Sequence, residues 1–158
     1  MANTQAMCTS FMGQLMTATH NFGVAPTRAG TGVDTFKAAL YLTTATVNAS
    51  TTAYSASNEV SGTGYSAGGV AVTMGTVPTA TNSSATAGVA FVTPSASITY
   101  TTVTLSTAFD AVLIYNSTQA DKAVSVHTFG SQTITAGTFT LTMPSNTTTT
   151  ALIRLATT

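Results

Sequence analysis

The residues from Phe109 to Met143, FDAVLIYNSTQADKAVSVHTFGSQTITAGTFTLTM, decide the fold class. They contain an apolar run at Ala111–Tyr115, a polar turn at Asn116–Asp121 and alternating runs from Lys122 onward. Such runs, joined by turn residues, are typical of consecutive antiparallel strands that cover a core. The first run is apolar on both faces, which predicts a central strand. Acids, bases and nucleophiles form no cluster in this stretch, so it indicates a scaffold rather than a reaction.

Further strands are predicted on both sides of that stretch. Period-two alternation marks residues 36–43 and 70–74, and residues 98–105 alternate with a phase slip between Tyr100 and Val103 that a β-bulge would accommodate. Shorter strands are expected near 91–92, 133–135, 139–143 and 152–155, with turns at Gly130 and Ala136-Gly137, a linker at 24–33 and long loops at 45–58 and 76–87. The spacing predicts a mainly β fold, an antiparallel β-sandwich of jelly-roll or Ig-like type with about 7–9 strands.

An amphipathic helix is predicted ahead of the β domain, over residues 3–21. Apolar residues fall at helical spacing there and form one broad face. The chain therefore divides into an N-terminal helix at 1–23 and a β-sandwich at 34–158, which together make a single domain. Two interpretations of the helix stay open: it packs on its own sheet, or it docks on a neighbouring subunit. On the second, the candidate interface residues are Met7, Phe11, Met12, Leu15 and Met16.

The composition is poor in charge. Lys plus Arg number 4 and Asp plus Glu number 4, and charged residues make up 5% of the chain, against about 25% in an average domain. The four basic residues lie far apart in sequence, which disfavours a nucleic-acid partner. Threonine, which occurs 37 times, suits half-exposed strand surfaces. A surface with so few charges favours association, so we expect a homo-oligomer or a subunit of a larger assembly.

Cysteine content and hydropathy exclude several further classes. The single cysteine, Cys8, cannot form an internal disulfide. Cys8, His20 and His127 show no zinc-site spacing, so no metal is predicted. No apolar stretch approaches the roughly 20 residues of a membrane span, and the N-terminus lacks the features of a signal peptide. We expect a chain that is made in a cytoplasm and has no membrane partner.

Two motifs imitate functional sites. Residues 64–68, GYSAG, match the G-x-S-x-G nucleophile elbow of α/β-hydrolases, and Asp110, Asp121 and His127 follow in the order of that fold. The elbow needs a strand followed by a helix, whereas the glycines here lead into the alternating VAVTM. The G-x-G at 62–64 likewise lacks the helix of a dinucleotide loop. We predict a glycine-rich hairpin or loop, and no catalytic or cofactor-binding residues in the chain.

Several segments carry a resemblance to a known class of proteins. They are TFKAALYLTTATVNASTTAYSASNEVSGTGYSAGG at 35–69, DAVLIYNSTQADKAVSVHTFGSQTITAGTFTLTMP at 110–144, TTALIRLA at 149–156 and the N-terminal MANTQAMCTSFMGQLMTATHNFG. They resemble the small virion structural proteins of tailed bacteriophages, a capsid decoration or cement-like β-sandwich class. The resemblance covers most of the chain apart from the loops at 45–58 and 76–90. Its motifs are strands and turns rather than catalytic signatures.

The resemblance implies a non-enzymatic virion protein that assembles in the cytoplasm of the host bacterium, in high copy number and without a cofactor. The expected partners are the major capsid protein or other virion proteins. We expect a capsid decoration (cement) protein that binds the outside of the major capsid shell and stabilises it. The alternatives are a tail, neck or fibre component, a carbohydrate-binding adhesin module and a hydrolase.

Overall fold

The computed structural model describes residues 2–16, 18–22, 33–75, 77–81 and 88–156. These residues form eight strands and one helix: β1 Ala6–Met7, α1 Thr9–Met16, β2 Phe36–Leu42, β3 Val70–Val72, β4 Thr79–Thr81, β5 Val89–Val92, β6 Ile98–Asn116, β7 Lys122–Leu141 and β8 Ile153–Ala156. A five-stranded sheet has the order β1-β7-β6-β2-β3, and a three-stranded sheet has the order β4-β5-β8. Every strand pair is antiparallel. The prediction of a mainly β, antiparallel sandwich with one short helix is confirmed.

The hairpin of β6 and β7 dominates the larger sheet. Its pairing runs from Asn116 opposite Lys122, next to the turn, to Ile98 opposite Leu141 at the far end. Every residue of the 111–116 run is buried, as expected for the central strand. The predicted phase slip is also present, because the register shifts between Tyr100 and Val103. Thr102, inside that shift, has a φ of 53°.

The prediction of three short strands between residues 122 and 143 is wrong. β7 is one strand of 20 residues. The turn residues expected at Gly130 and at Ala136-Gly137 lie within it, and Ala136 has a φ of 46°. The chain absorbs these residues as irregularities in its pairing with β6, where the register shifts several times, rather than as reversals of direction.

Both faces of the central strand are covered, which explains its apolar sequence. Val112 and Ile114 face a cavity that Met143 and Leu152 also line. Tyr115, at the alternate position, stacks on Tyr54 with ring centroids 4.7 Å apart. The predicted loop at 45–58, which contains Tyr54, forms only an isolated bridge and covers this second face.

The remaining loops differ in part from the prediction. The loop predicted at 76–87 contains the short strand β4, and residues 82–87 lie outside the described residues. The linker predicted at 24–33 also lies outside them, except for Val33. Within the described residues, no helix has the length and apolar character needed to cross a membrane.

Candidate interaction surface

The residues before the helix form an extended strap, here the N-terminal strap (residues 3–8), that is tied to the chain's own sandwich. The side-chain Nδ2 of Asn3 donates to the carbonyl oxygen of Leu42 at 3.1 Å and to Oδ1 of Asp110 at 2.6 Å. Its Oδ1 accepts from the backbone N–H of Val47 at 3.0 Å. One amide side chain therefore joins three separate parts of the fold.

Backbone pairing continues the strap along the sheet. Ala6 lies opposite Val126 in the pairing of β1 with β7. The N–H of Cys8 then donates to Val124 at 3.0 Å, and the N–H of Thr9 donates to Ala49 at 2.8 Å. These bonds use the backbone groups that a longer helix would need for its own first turn.

The helix is therefore shorter than the predicted 3–21. It begins at Thr9, because the strap is held in an extended conformation, and it ends at Met16. Beyond its end, Ala18 has a φ of 53° and the N–H of Thr19 donates to the carbonyl oxygen of Gln14 at 2.9 Å. A left-handed residue with a bond back into the last turn is a common helix ending.

The inner face of α1 packs on its own chain. Phe11 is 0% exposed. Its ring centroid lies 5.0 Å from that of His20 and 5.8 Å from that of Phe22. Phe22 in turn stacks on Phe36 of β2 at 4.5 Å. The first interpretation of the helix is correct for this face, and Phe11 is a core residue rather than an interface residue.

The other four candidate residues lie in three different environments. Met7 is on strand β1 rather than on the helix, and it is half-buried. Leu15 is also half-buried, and Met12 is 48% exposed. The side chain of Met16 lies outside the described part of the structure. Of the predicted face, Met12 and Leu15 remain as residues of the helix that a partner can reach.

Leu15 lines an apolar groove, here the α1 groove, between the helix and the smaller sheet. Its volume is about 90 Å³, well below the roughly 300 Å³ of a small-molecule site. Leu155 in its lining is 39% exposed, and Val77, which precedes the lining residue Pro78 in the chain, is 47% exposed. The groove is lined by residues that include Leu15, Phe22, Pro78, Phe91, Val92 and Leu155. A cleft of this size and composition suits a few apolar side chains of a protein partner.

A buried polar cluster holds the segment after α1 against the end of the hairpin. Asn116 is 0% exposed, and its Nδ2 donates to Oδ2 of Asp34 at 2.7 Å and to Nδ1 of His20 at 3.0 Å. The second ring nitrogen of His20, Nε2, lies 2.8 Å from Oε1 of Gln14. Because Asn116 donates to Nδ1, the proton of the neutral ring belongs on Nε2, where it can reach Gln14. The cluster thus fixes the helix relative to the hairpin.

The G-x-S-x-G segment is a loop, as predicted, and it leads into strand β3 rather than a helix. Gly64 has a φ of 78°. A Cβ on Gly64 would lie 2.4 Å from the carbonyl oxygen of Thr102, and one on Gly62 would lie 2.1 Å from that of Thr104. The loop crosses β6 too closely for any side chain. These glycines are there for close backbone contact.

Sequence reasoning missed a buried carboxylate, Glu59, that organises this loop. Its Oε1 accepts from the hydroxyl of Tyr65 at 2.7 Å and from the N–H of Gly68 at 2.8 Å. Its Oε2 accepts from the hydroxyl of Tyr54 at 2.6 Å. Burial, followed by the hydrogen bond to Glu59, raises the pKa of both tyrosines above its usual range, so both stay protonated and donate. An acid so close to a glycine-rich run, in a chain with few charges, was the available signal.

The histidine of the hydrolase-like pattern does not contact the serine of the G-x-S-x-G motif but a different one. Nε2 of His127 lies 2.9 Å from Oγ of Ser125, while Ser66 is exposed in the loop before β3. Asp110 binds Asn3, and Asp121 lies in the turn after β6. The structure therefore gives the four residues of that pattern separate local roles.

His127 lines a cavity of about 210 Å³ with apolar neighbours that include Phe129. Burial lowers the pKa of His127 to about 4. The ring is neutral at pH 7, so the hydroxyl of Ser125 can donate to Nε2. Ser125 itself is 3% exposed, which keeps its hydroxyl away from solvent.

Cys8 and the acidic residues show no metal-binding arrangement in the described ranges. Cys8 is fully buried, and burial raises its pKa to about 11, so the thiol stays protonated. Within those ranges, no three His, Cys, Asp or Glu side chains gather where they could hold a metal ion.

Comparisons of this chain with protein-family models, with curated proteins and with solved structures find no match. Function must therefore be argued from the residues and their geometry. Of the surfaces described above, the α1 groove combines apolar lining with exposed large side chains. Clefts of this kind occur where proteins bind other proteins.

Proposed function

We propose that the chain is a non-enzymatic structural protein of a tailed-phage virion, a capsid decoration (cement) protein that binds the outside of the major capsid shell and stabilises it. The observation that carries the proposal is the α1 groove, an apolar cleft whose lining includes Leu15 of the helix and Leu155, which is 39% exposed. A protein with 5% charged residues has little means of binding by charge. An apolar groove binds by burial of side chains, which is how stable assemblies associate.

The interior of the sandwich supports a mechanical role. Its polar residues are used to tie segments together: Asn3 joins three parts of the chain, and Glu59 accepts hydrogen bonds from Tyr54 of one loop and from Tyr65 and Gly68 of another. Satisfied buried networks of this kind rigidify a fold. A rigid body with one apolar contact surface is suited to bracing a shell from outside.

Cosedimentation with expanded empty capsids tests the proposal. We expect the protein to saturate the particles at hundreds of copies. The variant Leu155→Glu places a charge in the groove and should weaken binding by roughly tenfold or more, since burying an unpaired charge at an interface costs more than 1.4 kcal/mol. Val33→Glu is the matched control, because Val33 is also 39% exposed and is not among the residues that line the groove.

Two results would contradict the proposal. If both variants cosediment as well as the unaltered protein, the α1 groove is not the contact. If the protein binds purified tails in a few copies and does not bind capsids, it is a tail, neck or fibre component instead.

A further inference from the structure

The cavity lined by His127, here the His127 cavity, lies on the face of the central strand that carries Val112 and Ile114. Its volume is about 210 Å³. Of the eleven described residues that line it, seven are apolar, three are threonines and one is His127. Two of the threonines, Thr140 and Thr142, are exposed, so the cavity opens to the surface on their side. No described residue lines both this cavity and the α1 groove, so the two sites are separate.

The pairing of β6 with β7 places one polar pair in this largely apolar surface. His127 lies opposite Val112 and Ser125 lies opposite Ile114, and side chains at alternate positions of a strand share a face. Oγ of Ser125 is 2.9 Å from Nε2 of His127. Ser125 is 3% exposed, and among the described residues its hydroxyl has no other hydrogen-bond partner.

This bond decides which nitrogen of the neutral His127 ring carries the proton. If Nε2 carried it, the hydroxyl proton of Ser125 would be buried without an acceptor, which costs more than a hydrogen bond contributes. The hydroxyl therefore donates to Nε2, and the ring proton is on Nδ1. Nδ1 has no acceptor in the described ranges. His127 thus brings an N–H donor without a protein partner to the wall of an apolar cavity.

We propose that the His127 cavity binds a small neutral molecule with an apolar ring and one hydrogen-bond acceptor, to which Nδ1–H of His127 donates. No Asp, Glu, Lys or Arg is among the described residues that line the cavity, so a charged ligand would be desolvated without a counter-charge. Phe129 in the lining favours an aromatic ring.

The volume sets the size of this ligand. An apolar cavity of about 150 Å³ holds benzene, and the His127 cavity, at about 210 Å³, leaves room for a benzene ring with one short substituent. An aromatic ketone or aldehyde of about nine non-hydrogen atoms therefore fits both the space and the donor. Such a ligand site goes beyond the proposed function, because capsid binding does not require it.

Titration of the purified full chain with acetophenone, followed by the nitrogen NMR signals of the imidazole rings, tests the site. We expect saturable binding with a dissociation constant on the order of a millimolar or below, as for other ligands of this size. The Nδ1 signal of His127 should move, because that nitrogen gains an acceptor. The other histidine of the chain, His20, is the internal reference, since both of its ring nitrogens already have partners.

Two kinds of variant separate the space from the hydrogen bond. Leu152→Trp fills the cavity and should weaken acetophenone binding by roughly tenfold or more. Leu42→Trp is the matched control, because Leu42 is also half-buried and is not among the lining residues. His127→Phe with Ser125→Ala removes the donor together with its partner. It should weaken acetophenone roughly fivefold relative to α-methylstyrene, which has the same shape with a CH2 group in place of the carbonyl oxygen.

Three results would overturn the inference. Acetophenone that does not bind would show that the cavity takes water only. Equal weakening by the two tryptophan variants would place the ligand elsewhere, and an unchanged preference between the two ligands in the double variant would remove His127 from the site. If a variant fails to fold, the unaltered protein decides, since a His127 signal that stays still at saturation contradicts the hydrogen bond. Capsid binding is measured separately, so a chain that decorates capsids without binding acetophenone would refute the ligand site alone.

Discussion

The two halves of the β6–β7 hairpin are formed by the same two strands, but their edges and faces are covered to different extents. The inner half, Phe109–Asn116 with Lys122–Thr128, has β2 on one side, β1 on the other and side chains packed on both faces. The outer half, Ile98–Leu105 with Ile134–Leu141, has the glycine-rich loop along part of β6, and among the described residues no strand pairs with the other edge of its β7 stretch. Its β6 stretch still buries Ile98, Tyr100, Val103 and Leu105 in the core, so the two halves differ in how completely they are covered.

The sequence of the hairpin changes along its length together with this difference in coverage. Valine, alanine and leucine fill the inner half, whereas threonine and glycine dominate the outer part of β7. Register is strongly specified where faces are buried and weakly specified where the strand is polar. The pairing follows this rule, since its shifts are concentrated between Tyr100 and Ala111.

The largest contrast is expected from leucine truncation. Leu113 of the inner half is 0% exposed, so Leu113→Ala should lower the free energy of unfolding by about 3 kcal/mol through lost burial and a residual cavity. Leu141 of the outer half is half-buried, and Leu141→Ala should cost about 1 kcal/mol. Urea unfolding measures both. Equal losses would show that the two halves are equally packed.

A second prediction concerns how the free energy of unfolding depends on pH. His127 of the inner half has a pKa of about 4 when folded, against 6.5 for an unperturbed histidine. Between these values the unfolded chain binds more protons than the folded chain, so stability falls as the pH drops from 6.5 towards 4, by up to ~3 kcal/mol. His127→Gln should lose less stability over that window. If the two proteins lose stability in parallel in denaturant titrations, the buried histidine does not control acid sensitivity.

Two glycines, Gly62 in the loop that crosses β6 and Gly130 on β7, compare a closely packed backbone position with an open one. Gly62→Ala places a Cβ against the carbonyl oxygen of Thr104, a backbone atom that cannot move aside, and should cost about 2 kcal/mol. Gly130→Ala meets open space and should be neutral or stabilise by about 0.5 kcal/mol, because alanine restricts the unfolded chain. Thermal unfolding that ranks Gly130→Ala as the more harmful change would mean that the side-chain position at Gly130 is not open.

The smallest effect on stability is expected from Thr133→Lys with Thr135→Lys. Both side chains are exposed, so the monomer should change by less than about 0.5 kcal/mol. Circular dichroism melting at low concentration measures this. A large loss would place these residues in the chain's own packing.

The inner half could be predicted from sequence because burial on both faces leaves a continuous apolar run, Ala111–Tyr115. The strap could not. Met7, Cys8 and Phe11 fall at helical spacing. The pairing of Met7 with Ser125 and the hydrogen bond from the N–H of Cys8 to Val124, both far away in sequence, hold the first two residues outside the helix. Such tertiary bonds override a local pattern of only a few residues.

The candidate surface was predicted in part for the same reason. Met12 and Leu15 come from a local pattern that the sequence shows. Leu155 reaches the α1 groove through the topology of the smaller sheet, which no spacing in the sequence reveals. The hydrogen bonds of Glu59 are similar, since their donors look like scattered loop residues until the loop is folded.

The N-terminal strap also determines the order in which the protein can be completed. Ala6 pairs with Val126, and Asn3 binds Asp110, so the residues that leave the ribosome early find their partners only after most of the chain has been made. Contacts of such long sequence separation slow folding. Until β7 emerges, the strap and the apolar face of α1 have no sheet to pack on and stay exposed to other nascent chains. Synthesis that stops before residue 126 should therefore yield an aggregation-prone fragment rather than a smaller folded domain.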